Sequence, residues 1–416
     1  MQKVTDVPQD SGKYYIVITP FFPSGESFRG PYIYDQVQAI ARNSEYKVVV
    51  FAPCRSNEKQ EIYEYGGIKV HLFPMRNMPS YFFNGILNSY NAHKFLKTFY
   101  KCGIPGKQIK YVHCHTSTFG ALGVALKKQY PHIRVLLQHH SRDPFTILNG
   151  KLSAWLPNLW FRAMMNVRLF ENIDIHISIS KIVNDNLHLF PSASPLEDYV
   201  PYIKKLIRIK RMSSPRIARS IVLYNGVDKN KFYPLKKNQT TELFKIGCIA
   251  NFQTLKDQIT LIKATEELIN NHGLTDIKVS FIGSGPELRK CKNYVTDAGL
   301  NRYIQFDSEV DHSQLCTYYN TLDLFVLPSV YEGFGCVFTE AYACGVPFMI
   351  CEGQGATEYL SSPEYDKWVF QKHNYHQLAE MIHTFACQRF RQKLQISHDI
   401  DFLIARFLKQ IDDFHE

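Results

Sequence analysis

The sequence predicts an α/β protein of two doubly wound domains, each built on a parallel sheet and both facing a central cleft. At 416 residues the chain exceeds the size at which one hydrophobic core keeps growing, so two cores are expected. Short apolar runs alternate with longer helical patterns, the signature of strand-helix units. That alternation also starts afresh past the middle of the chain.

In the front half, YYIVIT (14–19), YKVVVFAP (46–53), KYVHCH (110–115), RVLLQHH (134–140) and DIHISIS (174–180) read as buried strands. The back half supplies FKIGCIA (244–250), IKVSFIG (277–283), YIQF (303–306), LDLFVLPS (322–329) and VPFMIC (346–351). Asn225-Gly226 signals a turn, and Pro234 followed by polar residues signals a linker. The boundary is therefore expected near residue 235, giving domains over 1–235 and 236–395. The last stretch, 396–416, holds an amphipathic helix with Phe407, Leu408, Ile411 and Phe414 on one face; it closes the second domain or crosses back to the first.

Apolar residues make up 45% of the chain and charged residues 21%, the composition of a globular protein. The net charge of +10 is unevenly spread. Residues 1–224 hold 29 Lys and Arg against 14 Asp and Glu, whereas residues 225–416 hold 19 against 24. A basic front half attracts polyanions: nucleic acid, anionic lipid or a pyrophosphate ligand. No nucleic-acid-binding motif accompanies it, so a nucleic-acid partner is not expected. Ten cysteines without a CxxC pair indicate reduced thiols and neither a disulfide framework nor a metal site. The absence of a membrane-length apolar run and of a signal-peptide pattern predicts a cytoplasmic protein, peripheral on a membrane face at most. Residues 199–211 combine Tyr199, Tyr202, Ile203, Leu206 and Ile207 with Lys204, Lys205, Arg208, Lys210 and Arg211. Such a segment suits an anionic membrane surface, and equally a solvated basic loop.

The chemistry concentrates in PSVYEGFGCVFTEAYACGVPFMI, residues 328–350. A strand ends at Ser329 and a helix should begin near Gly335 or Cys336, which leaves Glu332, Gly333, Phe334 and Gly335 as the turn between them. Such a turn lies at the carboxyl end of a parallel strand, where open sheets bind ligands. Its glycines admit a close ligand, and the helix start offers N–H groups to a phosphate or sugar. Glu340, one turn into the helix, can bridge two ribose hydroxyls.

Glu332, seven intervening residues, Glu340 and the following AYACGVP resemble the paired-glutamate signature of the retaining GT-B glycosyltransferases, family four of the glycosyltransferase classification. The resemblance extends to Gly353-Gln354-Gly355-Ala356-Thr357-Glu358, to LYNGVDKNKFYP (223–234) as interdomain strand and linker, and to VSFIGSGPELRK (279–290) as strand-turn-helix. It implies a GT-B fold of two Rossmann-like domains and transfer of a sugar, with retention, from a nucleoside-diphosphate sugar to a hydroxyl acceptor. It also implies residue roles. Glu332 would contact sugar hydroxyls, with backbone N–H groups from Phe334, Gly335, Cys336 and Val337 on the sugar and phosphate. Glu340 would hold the ribose, Lys256 would neutralise the diphosphate leaving group, and the backbone of Val310 would lie beside the base. Asn251 stands where many members carry Arg, which puts more of the diphosphate's charge on Lys256. In the front half, Gly25, Arg29 and Gly30 resemble the family's glycine loop near donor phosphates and acceptor. A family histidine falls at the end of RVLLQHH: the spacing to Asp143 favours His140, with His139 as the fallback.

His113 and His115 alternate with Cys114 along a strand, so these three cannot converge on one ion. No cofactor or metal is expected for the chemistry, since a lysine and a helix N-terminus do the cation's work. The basic front half points to a lipid-linked saccharide or glycolipid acceptor in polysaccharide or glycan synthesis; a soluble saccharide is the alternative. A Rossmann-type oxidoreductase is disfavoured because Gly283-Ser284-Gly285-Pro286-Glu287-Leu288 lacks the last glycine of the dinucleotide fingerprint.

Overall fold

The computed structural model describes residues 12–25, 29–54, 61–77, 85–140, 147–148, 151–152, 157–188, 216–236 and 243–414. The basic segment 199–211 and Asp143 lie outside the described residues. The chain packs as two units. The first holds the residues up to Ile179, Val183–Leu223 and those from Ile404 on; the second holds Ser180–Ile182 and Tyr224–Leu403.

The first unit carries β1 (Tyr14–Ile18), β2 (Lys47–Pro53), β3 (Ile62–Tyr65), β4 (Ile68–Phe73), β5 (Ile109–His115), β6 (Arg134–His139), the short pair β7 (Ile147–Leu148) and β8 (Lys151–Leu152), β9 (Ile175–Ser178) and β10 (Ser220–Val222). Eight of them form one sheet in the order β10-β9-β6-β5-β1-β2-β4-β3. All neighbours run parallel except the edge pair β3 and β4. The parallel strands are mostly apolar and buried on both faces, as in Ile16, Phe51, Val112 and Leu137, which are fully buried. The edge hairpin was not read from the sequence. Its strands join through Gly66 (φ +56°) and Gly67 (φ +78°), the doubly positive turn that matches strand twist.

The second unit carries β11 (Phe244–Ile249), β12 (Ile277–Ile282), β13 (Ile304–Asp307), β14 (Leu324–Leu327), β15 (Phe348–Cys351) and β16 (Val369–Phe370), all parallel, in the order β13-β12-β11-β14-β15-β16. This is the doubly wound dinucleotide-fold order. Its core runs from Ile246 and Val279 through Phe325 and Phe348 to Trp368.

One stretch departs from the sequence reading. Strand β10 ends at Val222, so LYNGVDKNKFYP contains no strand. Only Val227 makes a lone parallel bridge, to Asp399. Gly226 has no side chain because the chain crosses Ile400 there: a Cβ would stand 2.5 Å from the Ile400 Cα. The C-terminal helix spans Ile400–Asp413 and buries Phe407, Leu408 and Ile411; its residues from Ile404 on belong to the first unit. There the Tyr111 hydroxyl donates to Asp412 Oδ1 at 2.7 Å.

Candidate functional site

In the second unit the strand order reverses between β11 and β14, because connections from β11 run to one side and later strands add on the other. Open α/β sheets bind ligands at such a switch point, at the carboxyl ends of the two strands. Here two loops meet. The loop after β11 forms a short turn over Thr254–Lys256, and the Val330 N–H after β14 donates to the Leu255 carbonyl at 2.8 Å.

That link brings the Lys256 ammonium onto Glu332 Oε1. Ser329 Oγ, fully buried at the end of the strand, donates to the same oxygen at 2.7 Å. The side chains of Lys256 and Glu332 are 25% and 15% exposed, so the pair is only partly screened by water and remains reachable by a ligand. Asp257 follows in the left-handed region (φ +48°) and turns the chain into the helix Gln258–Asn270. Asp tolerates that conformation better than most residues; its carboxylate accepts from Thr260 Oγ1 at 2.6 Å.

A third loop clamps the Glu332 turn. The Gly355 N–H donates to the Glu332 carbonyl at 3.1 Å, and the Gln354 side-chain amide donates to the Ser329 carbonyl. Gly355 lies so close that a Cβ would fall 2.1 Å from the Gly333 carbonyl oxygen. Further along, Glu358 accepts from the Tyr224 hydroxyl at 2.8 Å and from the N–H groups of Lys181 and Ile182 at 2.9 and 3.0 Å. Burial raises the proton affinity of this carboxyl despite those donors.

The helix Cys336–Ala343 starts from Gly335 (φ +86°) with no side-chain cap, and its positive dipole end favours an anion. Glu340 is nearly buried one turn in. Its Oε2 accepts from the Tyr319 hydroxyl at 2.9 Å, and its Oε1 lies 3.9 Å from His312 Nε2. Burial, then the facing carboxylate, holds the Tyr319 phenol far above its ordinary value, so it serves as a donor at any working pH. His312 follows two residues after Val310 in the loop after β13, and the Val310 side chain packs on the core.

Asn251 is exposed at the end of β11, with its carbonyl held by Gln258 Nε2 at 3.1 Å. The glycines that mimic a dinucleotide fingerprint are taken up by packing. A Cβ on Gly283 would fall 2.2 Å from the Ala250 carbonyl oxygen, and one on Gly285 2.4 Å from that of Phe252.

In the first unit, Gly25 and Arg29 are exposed after β1, and Gly30 (φ +82°) opens the helix Pro31–Arg42. The two candidate histidines separate cleanly. His139 points into the core, where its Nε2 meets His176 Nδ1 at 2.9 Å. His140 is half-buried just past the end of β6; its Nε2 meets His115 Nδ1 at 3.0 Å, and its ring stacks on His115 at 5.2 Å with the Tyr32 ring 5.3 Å away. His113 stacks behind His115 at 4.6 Å, and its Nδ1 meets the Tyr15 hydroxyl at 2.8 Å. Burial pushes His113 down to about 3 and His115 well below the usual range, so both stay neutral. Among the described residues no cluster of His, Cys, Asp and Glu is arranged to hold a metal.

Residues 230–395 match the profile of the family described as Glycosyl transferases group 1, and residues 30–196 that described as Glycosyltransferase Family 4. Together these profiles take in most of the chain. Both halves of the chain thus match glycosyltransferase family profiles. A GDP-mannose-dependent alpha-(1-6)-phosphatidylinositol monomannoside mannosyltransferase of Mycolicibacterium smegmatis is 28% identical over 148 residues, 32% of this chain and 38% of the relative. A D-inositol 3-phosphate glycosyltransferase of Corynebacterium jeikeium is 31% identical over 107 residues, 24% of this chain and 26% of the relative. The matches thus span well under half of either relative's length. The sucrose-phosphate synthase of Thermosynechococcus elongatus superposes with a TM-score of 0.64 at 18% identity, covering 96% of this chain and 94% of that one. That likeness shows the fold, GT-B with two parallel-sheet α/β domains.

The sequence names Lys256, Glu332, Gly333 and Gly335, and the structure sets them at the switch point with the first two in direct contact. Glu340 is held by Tyr319 beside His312. Sequence reasoning missed Ser329, Tyr319, His312 and Gln354. Ser329 lies inside the quoted motif but reads as a plain strand end, and Tyr319 meets Glu340 from another helix, which no local pattern reports.

Proposed function

We propose that this protein is a retaining glycosyltransferase that moves a sugar from a nucleoside-diphosphate sugar to a hydroxyl acceptor. The observation that carries the reading is the meeting of Lys256 and Glu332 at the switch point of a doubly wound sheet. An ammonium there offsets charge developing on a departing diphosphate, and a carboxylate beside it accepts sugar hydroxyls. The open helix start at Gly335 adds backbone donors for phosphate, and Glu340, fixed by Tyr319, takes the ribose. Asn251 contributes a hydrogen bond without charge, so Lys256 carries more of the leaving group. In the first unit, His140 is assigned to a sugar hydroxyl, and Gly25, Arg29 and Gly30 to the acceptor side. The reaction needs no metal in this scheme.

For the donor, the GDP-mannose dependence in the name of the mycobacterial relative makes GDP-mannose the first to test. For the acceptor, that relative's phosphatidylinositol monomannoside supports a lipid-linked saccharide or glycolipid used in glycan synthesis at a membrane. The D-inositol 3-phosphate of the second relative's name supports a soluble acceptor as the other reading. No helix among the described residues is long and apolar enough to cross a membrane.

A thermal-shift screen against UDP, GDP, ADP and their sugars tests the donor assignment, since a ligand of the native state raises Tm. Anomeric configuration of the product, read by NMR, tests retention. Co-sedimentation with anionic liposomes before and after neutralising Lys204, Lys205, Arg208 and Arg211 tests the membrane assignment; unaltered sedimentation leaves the soluble acceptor.

A further inference from the structure

Lys256 and Glu332 are assigned above to different parts of one ligand, the diphosphate and the sugar, yet without that ligand each satisfies the other. The ammonium cannot give its full charge to a phosphate while a carboxylate neutralises it. Glu332 Oε1 already receives both the ammonium and the Ser329 hydroxyl, so a sugar hydroxyl would meet an oxygen whose acceptor capacity is largely used.

Something must therefore move when a donor binds, and the surroundings show which group is free to do so. Glu332 is held at both ends: its carbonyl by the Gly355 N–H, its carboxylate by Ser329. Ser329 is itself fixed, fully buried, with its carbonyl taken by Gln354. Lys256 has a long flexible side chain and, among the described residues, no second side-chain partner of this kind. A diphosphate carries more charge than one carboxylate and competes for the ammonium on favourable terms.

We infer that Lys256 and Glu332 form an exchangeable pair, in which a diphosphate takes the ammonium from Glu332 and the Ser329 hydroxyl keeps the released carboxylate in place for the sugar. Ser329 is thus a positioning residue, acting through Glu332. The inference rests on the proposed donor site and adds a consequence. A nucleoside diphosphate without its sugar must break the pair and gains nothing from the released carboxylate. A complete donor recovers that loss through the sugar. After transfer, Glu332 can reclaim Lys256 and assist departure of the product diphosphate.

Calorimetry on the full chain with UDP, GDP, ADP, UDP-glucose, GDP-mannose and ADP-glucose tests this, using whichever nucleotide binds most tightly. Glu332→Gln removes the competing charge and should tighten nucleoside-diphosphate binding about threefold to tenfold, the range of one partly exposed ion pair, while the additional affinity contributed by the sugar falls. Ser329→Ala should lose at least about threefold of the sugar's contribution at unchanged Tm, and Ser329→Thr should restore it. Unchanged or weaker diphosphate binding by Glu332→Gln, or an undiminished sugar contribution in Ser329→Ala, overturns the exchange. Lys256→Ala separates the two levels. If it leaves diphosphate affinity unchanged, or if the wild type binds none of the nucleotides, the donor-site reading itself falls.

Discussion

The ammonium of Lys256 rests on the carboxylate of Glu332, two residues 76 positions apart that two loops at one sheet edge bring together. Neither residue reaches the other through its own element. The contact depends on the Val330–Leu255 backbone hydrogen bond and on the sheet order that sets β11 beside β14.

The Tyr319 hydroxyl holds Glu340, so Tyr319→Phe should free that carboxylate while preserving the buried ring. Donor affinity should fall about threefold to tenfold, with a smaller fall for the 2′-deoxy nucleotide, whose lost hydroxyl already forgoes part of the contact. Binding titrations with ribo- and deoxyribonucleotides check this.

Gly355→Ala forces a Cβ against the Gly333 carbonyl, a backbone atom that cannot swing aside. The expected cost is about 2 kcal/mol, read as a lower Tm. Donor affinity should fall as well, because the clash displaces the Glu332 turn.

Neutral, buried His113 and His115 make stability depend on pH. In the unfolded chain each takes a proton below about 6.5, whereas the folded chain resists it, with His113 held down to about 3. Their contribution is complete above the unfolded value and is lost as pH falls through that window, at about 1.4 kcal/mol per pH unit for each proton taken up. Denaturant unfolding at about pH 7.5 and about pH 5.5 should show the wild type losing more stability on acidification than His113→Gln.

Much of this was legible because the physics is local. Parallel strands buried on both faces give mostly apolar runs, and all ten strands read from the sequence, from YYIVIT to VPFMIC, are present. The helix start at Cys336 was legible from Gly335, whose positive φ a side chain would strain. The edge hairpin at Ile62–Tyr65 and Ile68–Phe73 was missed although its Gly-Gly turn is a local signal, because its outer strand is half-exposed and Lys69 and His71 interrupt the apolar run of the inner one. Strand β10 has three residues, too few for any pattern. In the site, Glu332 and Glu340 stood out by type and spacing. Their partners Ser329 and Tyr319 did not, since a buried hydroxyl aimed at a carboxylate is a property of packing between elements. His139 and His140 could be told apart only in three dimensions, where strand alternation sends one into the core toward His176 and leaves the other on His115.

Calorimetric titration of the best-binding nucleotide sugar into the wild type, Lys256→Ala and Glu340→Ala tests the donor site most directly. Each variant should retain its fold and bind at least about tenfold more weakly, the effect of losing one charge-assisted contact. Unchanged affinity in both folded variants would contradict the donor site and the function built on it.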